Sequence, residues 1–175
     1  MTIVRLLLLP IILTAAVAAT PAAAQILTDA DAACTPGSPA VRVNVTGLKD
    51  RTGRLKLELY PATEADFLKD DTKLRNEGKF FARIWSTPPQ SGPVSLCIRA
   101  PRPGRYALLF THDRDGKNKF NFWRDGAGFV KSRNLGRNRP KLDDAVITVG
   151  PTGTTVTVRT QYLRGLSGFA PHAGD

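Results

Sequence analysis

The sequence predicts an all-β fold, an antiparallel β-sandwich of about seven strands with one short helix. Three observations carry this prediction. Short segments alternate apolar and polar residues, the period of a half-buried strand. The 175 residues include 15 glycines and 13 prolines, many of them in turn-like stretches between those segments. Only one stretch is compatible with a helix, so we expect a single sandwich domain over residues 41–163.

Residues 1–24 have the features of a secretory signal peptide. Arg5 is followed by an apolar run over residues 6–19 and then by Ala22-Ala23-Ala24. We therefore expect cleavage between Ala24 and Gln25, and a periplasmic or secreted protein. A non-cleaved membrane anchor is the alternative, but the run is short for a bilayer span.

The elements after the signal peptide follow from the local pattern. Residues 25–40 lack periodicity and are predicted to be a flexible leader. Two alternating segments come next and are predicted to form a β-hairpin across the turn residues 47–53. Their apolar positions are Val41, Val43, Val45, Leu55, Leu57 and Leu59.

The rest of the chain contains one helix and five strands. Residues 61–77 are predicted to be helical, with Thr63 as N-cap. The strand at 105–111 is the most hydrophobic and is expected to be central. A polar loop follows from His112 to about Pro140, and residues 164–175 are predicted to be a disordered tail. The other predicted strands are 79–85, 94–99, 145–149 and 154–162.

Two cysteines, Cys34 and Cys97, remain after the signal peptide. In an oxidising compartment an isolated pair usually forms one disulfide, which is our prediction. A lipid-modified Cys34 is less consistent with the sequence, because Asp31 stands where a large apolar residue belongs. A catalytic Cys97 is disfavoured because it lies within a predicted strand.

One stretch resembles a known family. A strand with a Gly-x-Tyr-Ala start leads into a His-Asp loop, then Gly-Phe, then a Pro before Asp-Asp-Ala. The matching residues are Gly104, Tyr106, Ala107, His112, Asp113, Asp115, Gly116, Lys119, Gly128, Phe129, Asn134, Pro140, Asp143, Asp144 and Ala145. With Val45–Leu48 and Gly53–Tyr60, the resemblance to the domain of unknown function 2141 family covers about residues 41–162. It implies a transthyretin-like or immunoglobulin-like sandwich of an exported bacterial protein, with no assigned activity.

The loop after His112 contains the acidic residues of a possible cation site. A calcium loop needs converging oxygens, typically in the pattern Asp-x-Asp-x-Asp-Gly. Counting from Asp113, the third ligand position is Lys117, whose ammonium repels a divalent ion; members of the similar family often have Asn or Asp there. A non-standard site of Asp113, Asp115 and Asp125 remains an alternative to a structural loop in which these side chains cap backbone N–H groups.

His112 is predicted to hydrogen-bond to the backbone at the rim of the sandwich. A zinc site would need further donors, and a general base would need a nucleophile and an orienting group. The side chain of the adjacent Asp113 points to the other face of the strand. We therefore predict no cofactor and a protein that is not an enzyme.

Residues 117–141, named here the basic loop, are the candidate binding surface. Lysine and arginine side chains bind phosphate or carboxylate oxygens, and aromatic rings stack on sugars or insert at an interface. The predicted ligand-binding residues are Trp123, Arg124, Phe129, Lys131, Arg133, Arg137, Arg139 and Lys141, with Lys117, Lys119, Phe120 and Phe122 alongside. The equal alternative is that the rings fold inward and the cations are solvated.

These features lead to three functional hypotheses. The net charge of +10 favours an anionic partner, and export excludes nucleic acid. The first hypothesis is a non-catalytic module that binds an envelope glycan, lipopolysaccharide or lipid head group. The second is a structural or accessory envelope protein that binds another protein through a sheet edge. The third is a cation-binding or enzymatic site at His112, Asp113 and Asp115. The oligomeric state is left open.

Overall fold

The computed structural model describes residues 34–131 and 133–172, which form ten strands, two short α-helices and one 3₁₀ turn. The strands are β1 (Ala40–Thr46), β2 (Arg54–Pro61), β3 (Ala82–Ser86), β4 (Val94–Arg99), β5 (Gly104–Asp113), β6 (Gly126–Gly128), β7 (Val146–Val149), β8 (Thr154–Arg159), β9 (Gln161–Leu163) and β10 (Phe169–Pro171). The helices are α1 (Asp71–Asn76) and α2 (Leu142–Ala145), and the 3₁₀ turn is Gly165–Ser167.

Two sheets form the sandwich. The small sheet has the order β4-β1-β8, and the large sheet has the order β10-β9-β6-β5-β2-β3. Along the edge of β5 that faces away from β2, β7 pairs with the first half of the strand and β6 with its end. β5 is therefore central, as its hydrophobicity predicts.

The predicted fold class, an all-β sandwich, is confirmed, with two differences in detail. The structure has ten strands rather than about seven, because three-residue strands such as β6 are too short to show a periodic pattern. One ladder, β1 with β8, is parallel. The chain leaves β1 for the large sheet and returns at β8 in the same direction, which a hairpin topology does not allow.

The predicted hairpin of the first two strands is wrong. β1 pairs with β4 and β8, whereas β2 pairs with β3 and β5. Residues 47–53 carry the chain from one sheet to the other. The alternating valines of β1 and leucines of β2 therefore belong to one core between the two sheets, and alternation by itself cannot distinguish this arrangement from side-by-side pairing.

The large sheet is covered on both faces. Its inner face packs on the small sheet, and its outer face carries a second apolar cluster under α1, α2 and the connections around them. The second cluster contains Tyr60, Phe67, Leu74, Ala107, Phe129, Leu142, Ala145 and Val146. This double coverage buries six consecutive residues of β2, including Lys56 and Glu58.

The helix predicted for residues 61–77 is much shorter in the structure. α1 begins after Asp70, whose Oδ1 accepts a hydrogen bond from Lys73 N at 3.1 Å. Thr63 instead donates its hydroxyl to Asp66 Oδ2 at 2.7 Å within a turn. Leu68 at φ 61° separates that turn from the helix, since a left-handed residue cannot continue a right-handed helix.

Two other predictions about irregular segments are wrong. The described part of the tail predicted to be disordered contains the 3₁₀ turn and β10, which pairs with β9. Phe169 of β10 is buried, so packing orders this segment although its sequence has no strand pattern. The loop predicted from His112 to Pro140 contains β6 and the buried Asp113 and Asp125.

The disulfide between Cys34 and Cys97 is present. The two Cα atoms are 5.8 Å apart, and the bond joins residues 63 positions apart. It connects the residue at which the described chain begins to β4, whose other face contributes to the core between the sheets.

Residues 1–33 lie outside the described part of the chain. The predicted signal peptide, its cleavage site and most of the predicted leader fall there. Among residues 34–131 and 133–172, no helix is both long and apolar enough to cross a membrane.

We expect the double substitution Cys34→Ser with Cys97→Ser to lower the free energy of unfolding by about 4 kcal/mol, because the bond restricts a long loop of the unfolded chain. Urea denaturation of the two proteins measures the difference. Reducing agent should lower the midpoint of the parent protein to that of the variant. A parent that is indifferent to reducing agent would contradict this prediction.

Candidate functional site

The acidic loop, which carries Asp113, Asp115 and Asp125, begins where β5 ends. His112 points to the inner face of the large sheet and Asp113 to the outer face, because neighbouring residues of a strand alternate. Both are buried. His112 and Asp113, which are neighbours in the family motif, therefore lie on opposite faces of the large sheet and have different surroundings.

Three carboxylates meet in this loop. Asp113, Asp115 and Asp125 each contribute one oxygen atom, and these atoms lie within 4.8 Å of one another. Asp125 is 1% exposed; its Oδ1 accepts a hydrogen bond from Arg114 N at 2.9 Å and its Oδ2 one from Asn121 N at 2.7 Å. Asp125 thus joins the beginning of the loop to its middle.

Asp113 and Asp115 have similar partners. Asp113 Oδ2 accepts from Arg54 Nη2 at 2.9 Å and from Asn118 N at 3.1 Å. Asp115 accepts from the Asn121 amide at 3.0 Å and from Lys117 N at 3.2 Å. The hydrogen bond from Asn121 lowers the pKa of Asp115 below its ordinary value, so the carboxylate stays ionised.

These contacts favour a structural role for the three carboxylates over cation binding. Five of the six carboxylate oxygens accept hydrogen bonds, whereas Asp113 Oδ1 is buried without a partner in the described residues. A cation at this point would share Asp113 with the guanidinium of Arg54. The cation site at Asp113, Asp115 and Asp125 stays a prediction that the geometry permits but does not favour.

We expect Asp125→Ala to lower the free energy of unfolding by about 2–4 kcal/mol, because it removes a buried carboxylate and leaves two partly buried backbone N–H groups without their acceptor. Thermal or urea denaturation measures the change. The control is Glu64→Ala, at an exposed position, which should change stability by less than about 0.5 kcal/mol. Equal effects of the two substitutions would contradict the role assigned to Asp125.

His112 connects three segments at the rim of the sandwich. Its Nε2 lies 2.7 Å from the carbonyl oxygen of Thr52, which can only accept, so Nε2 carries the proton. Nδ1 of the neutral ring then accepts from the Tyr162 hydroxyl at 2.7 Å, and the same hydroxyl accepts from Lys49 N at 3.0 Å. The predicted hydrogen bond to the backbone is present. Both ring nitrogens are occupied, so His112 is poorly placed to act as a base.

Close approach of neighbouring atoms explains Gly128 of the family motif and also Gly126, two residues before it. A Cβ on Gly126 would lie 2.5 Å from Tyr162 Cε1. A Cβ on Gly128 would lie 2.5 Å from Val158 Cγ1 and 2.9 Å from the carbonyl oxygen of Arg159. Any side chain at Gly126 would displace the tyrosine that His112 contacts. Gly116, in contrast, has open space and a φ of 69°, which suits a turn.

Charged neighbours surround the His112 ring. Burial lowers the pKa of His112, opposed by the hydrogen bond to Thr52 and the charge of Asp50. Arg114 also lowers this pKa, and Asp125 raises it slightly. Burial of Asp50 is outweighed by hydrogen bonds from Arg114 and Thr52, which hold the pKa of that carboxyl well below its usual range.

We expect the protein to lose stability as pH falls from about 7.5 to about 5.5, around the unfolded-state pKa of histidine. The folded pKa of His112 is lowered, so the unfolded chain binds the proton more readily and acidification favours unfolding. Melting temperatures across this range, for the parent and for His112→Asn, measure the effect. The variant should be less stable at neutral pH but should vary less with pH, and equal slopes would contradict the prediction.

The basic loop exposes all of its cations. The exposed side chains are Lys117, Lys119, Arg124, Lys131, Arg133, Arg137, Arg139 and Lys141. None of them forms an ion pair within residues 34–131 and 133–172. Arg139 donates Nη2 to the carbonyl oxygen of Phe67 at 3.1 Å, so its guanidinium also holds the loop against the turn before α1.

The aromatic residues of the basic loop divide into two groups. Trp123 is 80% exposed, whereas Phe129 is buried in the outer cluster. Phe129 was predicted as a surface contact, which is wrong, because it follows β6 on the outer face and packs edge-on against Phe67 at 5.9 Å. Phe120 and Phe122 belong to the exposed group, at 42% and 44%, and their ring centroids lie 5.9 and 4.9 Å from that of Phe169.

An apolar pocket of about 250 Å³ lies between the outer face of the large sheet and the basic loop. Its floor consists of residues on three adjacent strands, Lys56 on β2, Leu109 and Thr111 on β5, and Ala127 on β6. The loop and β10 supply the walls. The continuous apolar run of β5 signals burial on both faces, but the sequence contains no signal that Phe169 would reach this pocket.

Comparison with known proteins gives a single finding. The sequence model of a family described as "Uncharacterized protein conserved in bacteria (DUF2141)" matches residues 43–157. This confirms the resemblance found in the sequence. No curated protein and no solved structure matches the chain.

Proposed function

The chain belongs to the DUF2141 family of uncharacterised bacterial proteins, and we propose that it is an exported, non-catalytic module that binds anionic envelope ligands through its basic loop. The ligands we propose are anionic glycans, lipopolysaccharide and lipid head groups. The family description names no activity, so the proposal depends on the geometry and charge of this chain.

The observation that carries the proposal is the unpaired state of the cations in the basic loop. By contrast, three arginines on or next to the large sheet have acidic partners: Arg54 pairs with Asp113, Arg83 with Glu58 and Arg114 with Asp50. The exposed arginines and lysines of the basic loop have no ion-pair partner among the described residues. A surface of unpaired cations attracts anions, and guanidinium groups can bind phosphate or carboxylate through two hydrogen bonds.

Two further features support an exported binding protein. The disulfide between Cys34 and Cys97 is typical of oxidising compartments such as the periplasm or the extracellular space. Both ring nitrogens of His112 and most of the acidic oxygens are occupied by bonds within the fold, which supports binding rather than catalysis.

The second candidate function is binding of another protein through a sheet edge. In the described residues the strands that pair on one side only are β3, β4, β7, β8 and β10, and they have three to six residues each. Short edges provide few main-chain hydrogen bonds to a partner strand, so we place this function second. Its binding would depend little on salt, because main-chain and apolar contacts are screened less than surface charges.

We expect the exported protein to bind purified lipopolysaccharide and acidic glycans with an affinity that falls steeply as salt rises. The test variant replaces Lys131, Arg133, Arg137 and Lys141 with serine and keeps Arg139, because Arg139 also bonds to Phe67. Binding measured by calorimetry across a salt series should be weakened at least tenfold in this variant.

The matched control carries the same change of charge outside the basic loop. It replaces Lys49, Lys73, Arg102 and Arg105, which are all exposed, with serine. If binding depends on the basic loop, this control retains most of the affinity. Equal losses in both variants would assign binding to net charge alone, and no binding at low salt would contradict the proposal.

A further inference from the structure

We propose that the pocket beneath the basic loop takes the apolar chain of the anionic ligand, so that the ligand is an amphiphile with one medium-length acyl chain and a carboxylate or phosphate head. The inference rests on the proposed function and narrows it from anions in general to acylated anions. The pocket joins the apolar outer face of the large sheet to the charged loop above it.

The size of the pocket fits one chain. Its volume of about 250 Å³ exceeds the roughly 150 Å³ of a cavity that holds benzene. It is smaller than the roughly 300–1,000 Å³ of sites for drug-sized ligands. A pocket of this size excludes a second chain and leaves the head group outside.

The arrangement of the rings favours a flexible chain over a flat ring. Phe122 meets Phe169 edge to face at an interplanar angle of 68°, and Phe120 is tilted by 35° to Phe169. These rings form no parallel-walled slot that would clamp a planar group. An acyl chain can bend to contact non-parallel ring faces together with the side chains of Leu109 and Ala127.

Hydrogen bonds to neighbouring strands hold one wall of the pocket in place. Gly136 N donates to the carbonyl oxygen of Phe169 at 2.9 Å, and Phe169 N donates back to Gly136 O at 2.7 Å. Leu135 N donates to Oε1 of the buried Gln161 at 2.8 Å. A wall fixed in the absence of ligand lowers the ordering cost of binding.

The charge of the lining selects the head group. Lys56 and Arg137 are the ionisable residues that line the pocket, and no carboxylate lines it within the described residues. Lys56 is buried, and its ammonium lies 3.4 Å from Glu58 Oε2, so it already has an acidic partner within the fold, which it shares with Arg83. Arg137 is exposed, has no ion-pair partner among the described residues, and is adjacent to the amide donor of Asn138. An anionic head at the pocket mouth would therefore meet Arg137.

A chain-length series tests the inference. Calorimetry with the exported protein measures binding of straight-chain carboxylates from hexanoate to tetradecanoate, and of decyl phosphate, all below their micelle-forming concentrations. We expect the affinity to rise about fourfold per added methylene and to level off once the chain fills the pocket. Decanol, which lacks the charge, should bind more weakly than decanoate.

Three variants locate the site. Ala127→Leu fills the floor and should end the rise at a shorter chain, whereas Leu109→Ala enlarges the pocket and should extend it to a longer one. Because these changes are opposite, a general loss of stability cannot produce both. Arg137→Ser should weaken decanoate at least threefold and leave decanol unchanged, and Arg105→Ser, on an exposed position of β5, is its matched control.

The outcomes separate this inference from the proposed function. Salt-sensitive binding of acidic glycans with no dependence on chain length would overturn the acyl site and leave the proposed function in place. Tighter binding of 2-naphthoate than of decanoate would overturn the choice of a chain over a ring. Chain-length dependence that neither pocket variant shifts would move the chain to another surface and overturn the inference. If the parent protein binds none of these anions even at low salt, both proposals are overturned.

Discussion

The ladder between β2 and β5 is the constraint on which the rest of the structure depends. The two strands pair over eight residues, from Arg54 with Asp113 to Pro61 with Tyr106, and both faces of this ladder are covered. Leucines of β2 fill the core between the sheets, while Lys56 and Glu58 point to the outer face and are buried there. Buried charges destabilise a fold unless they are paired. Because the covering of the outer face buries Glu58, the fold also needs Arg83, which donates to Glu58 at 2.7 Å.

The end of this ladder organises the loop that carries the family motif. Asp113 and His112 leave β5 on opposite faces, and each is bonded to a different part of the chain: Asp113 to Arg54 and the loop backbone, His112 to Thr52 and Tyr162. A hydrogen bond from Arg114 Nε to Asp50 Oδ2 links the acidic loop to the connection between β1 and β2. The residues that resemble a catalytic or metal-binding cluster are therefore largely occupied in holding two connections and β9 together, which explains the glycine at position 126 as well.

This division of charge bears directly on function. The acidic residues of the loop are hydrogen-bonded, and Asp113 and Asp125 are also buried. The cations that follow in sequence are exposed and have no ion-pair partner among the described residues. Much of the net positive charge of the chain is thus presented to solvent on the basic loop rather than balanced within it. Beneath the loop, the outer face of the β2–β5–β6 region provides apolar surface, so cationic and apolar contacts are available within one region of the molecule.

The sequence determined the fold class, the disulfide, the family and the separation of a buried strand from a basic loop, because these depend on local periodicity, residue type and motif spacing. It did not determine that β1 and β2 lie in different sheets, since alternation reports which face of a strand is buried and not which strand is its neighbour. It also could not reveal that Phe129 turns inward or that Phe169, in a glycine-containing tail without periodicity, closes the pocket. Those positions depend on contacts between residues distant in sequence, and only the tertiary structure brings them together.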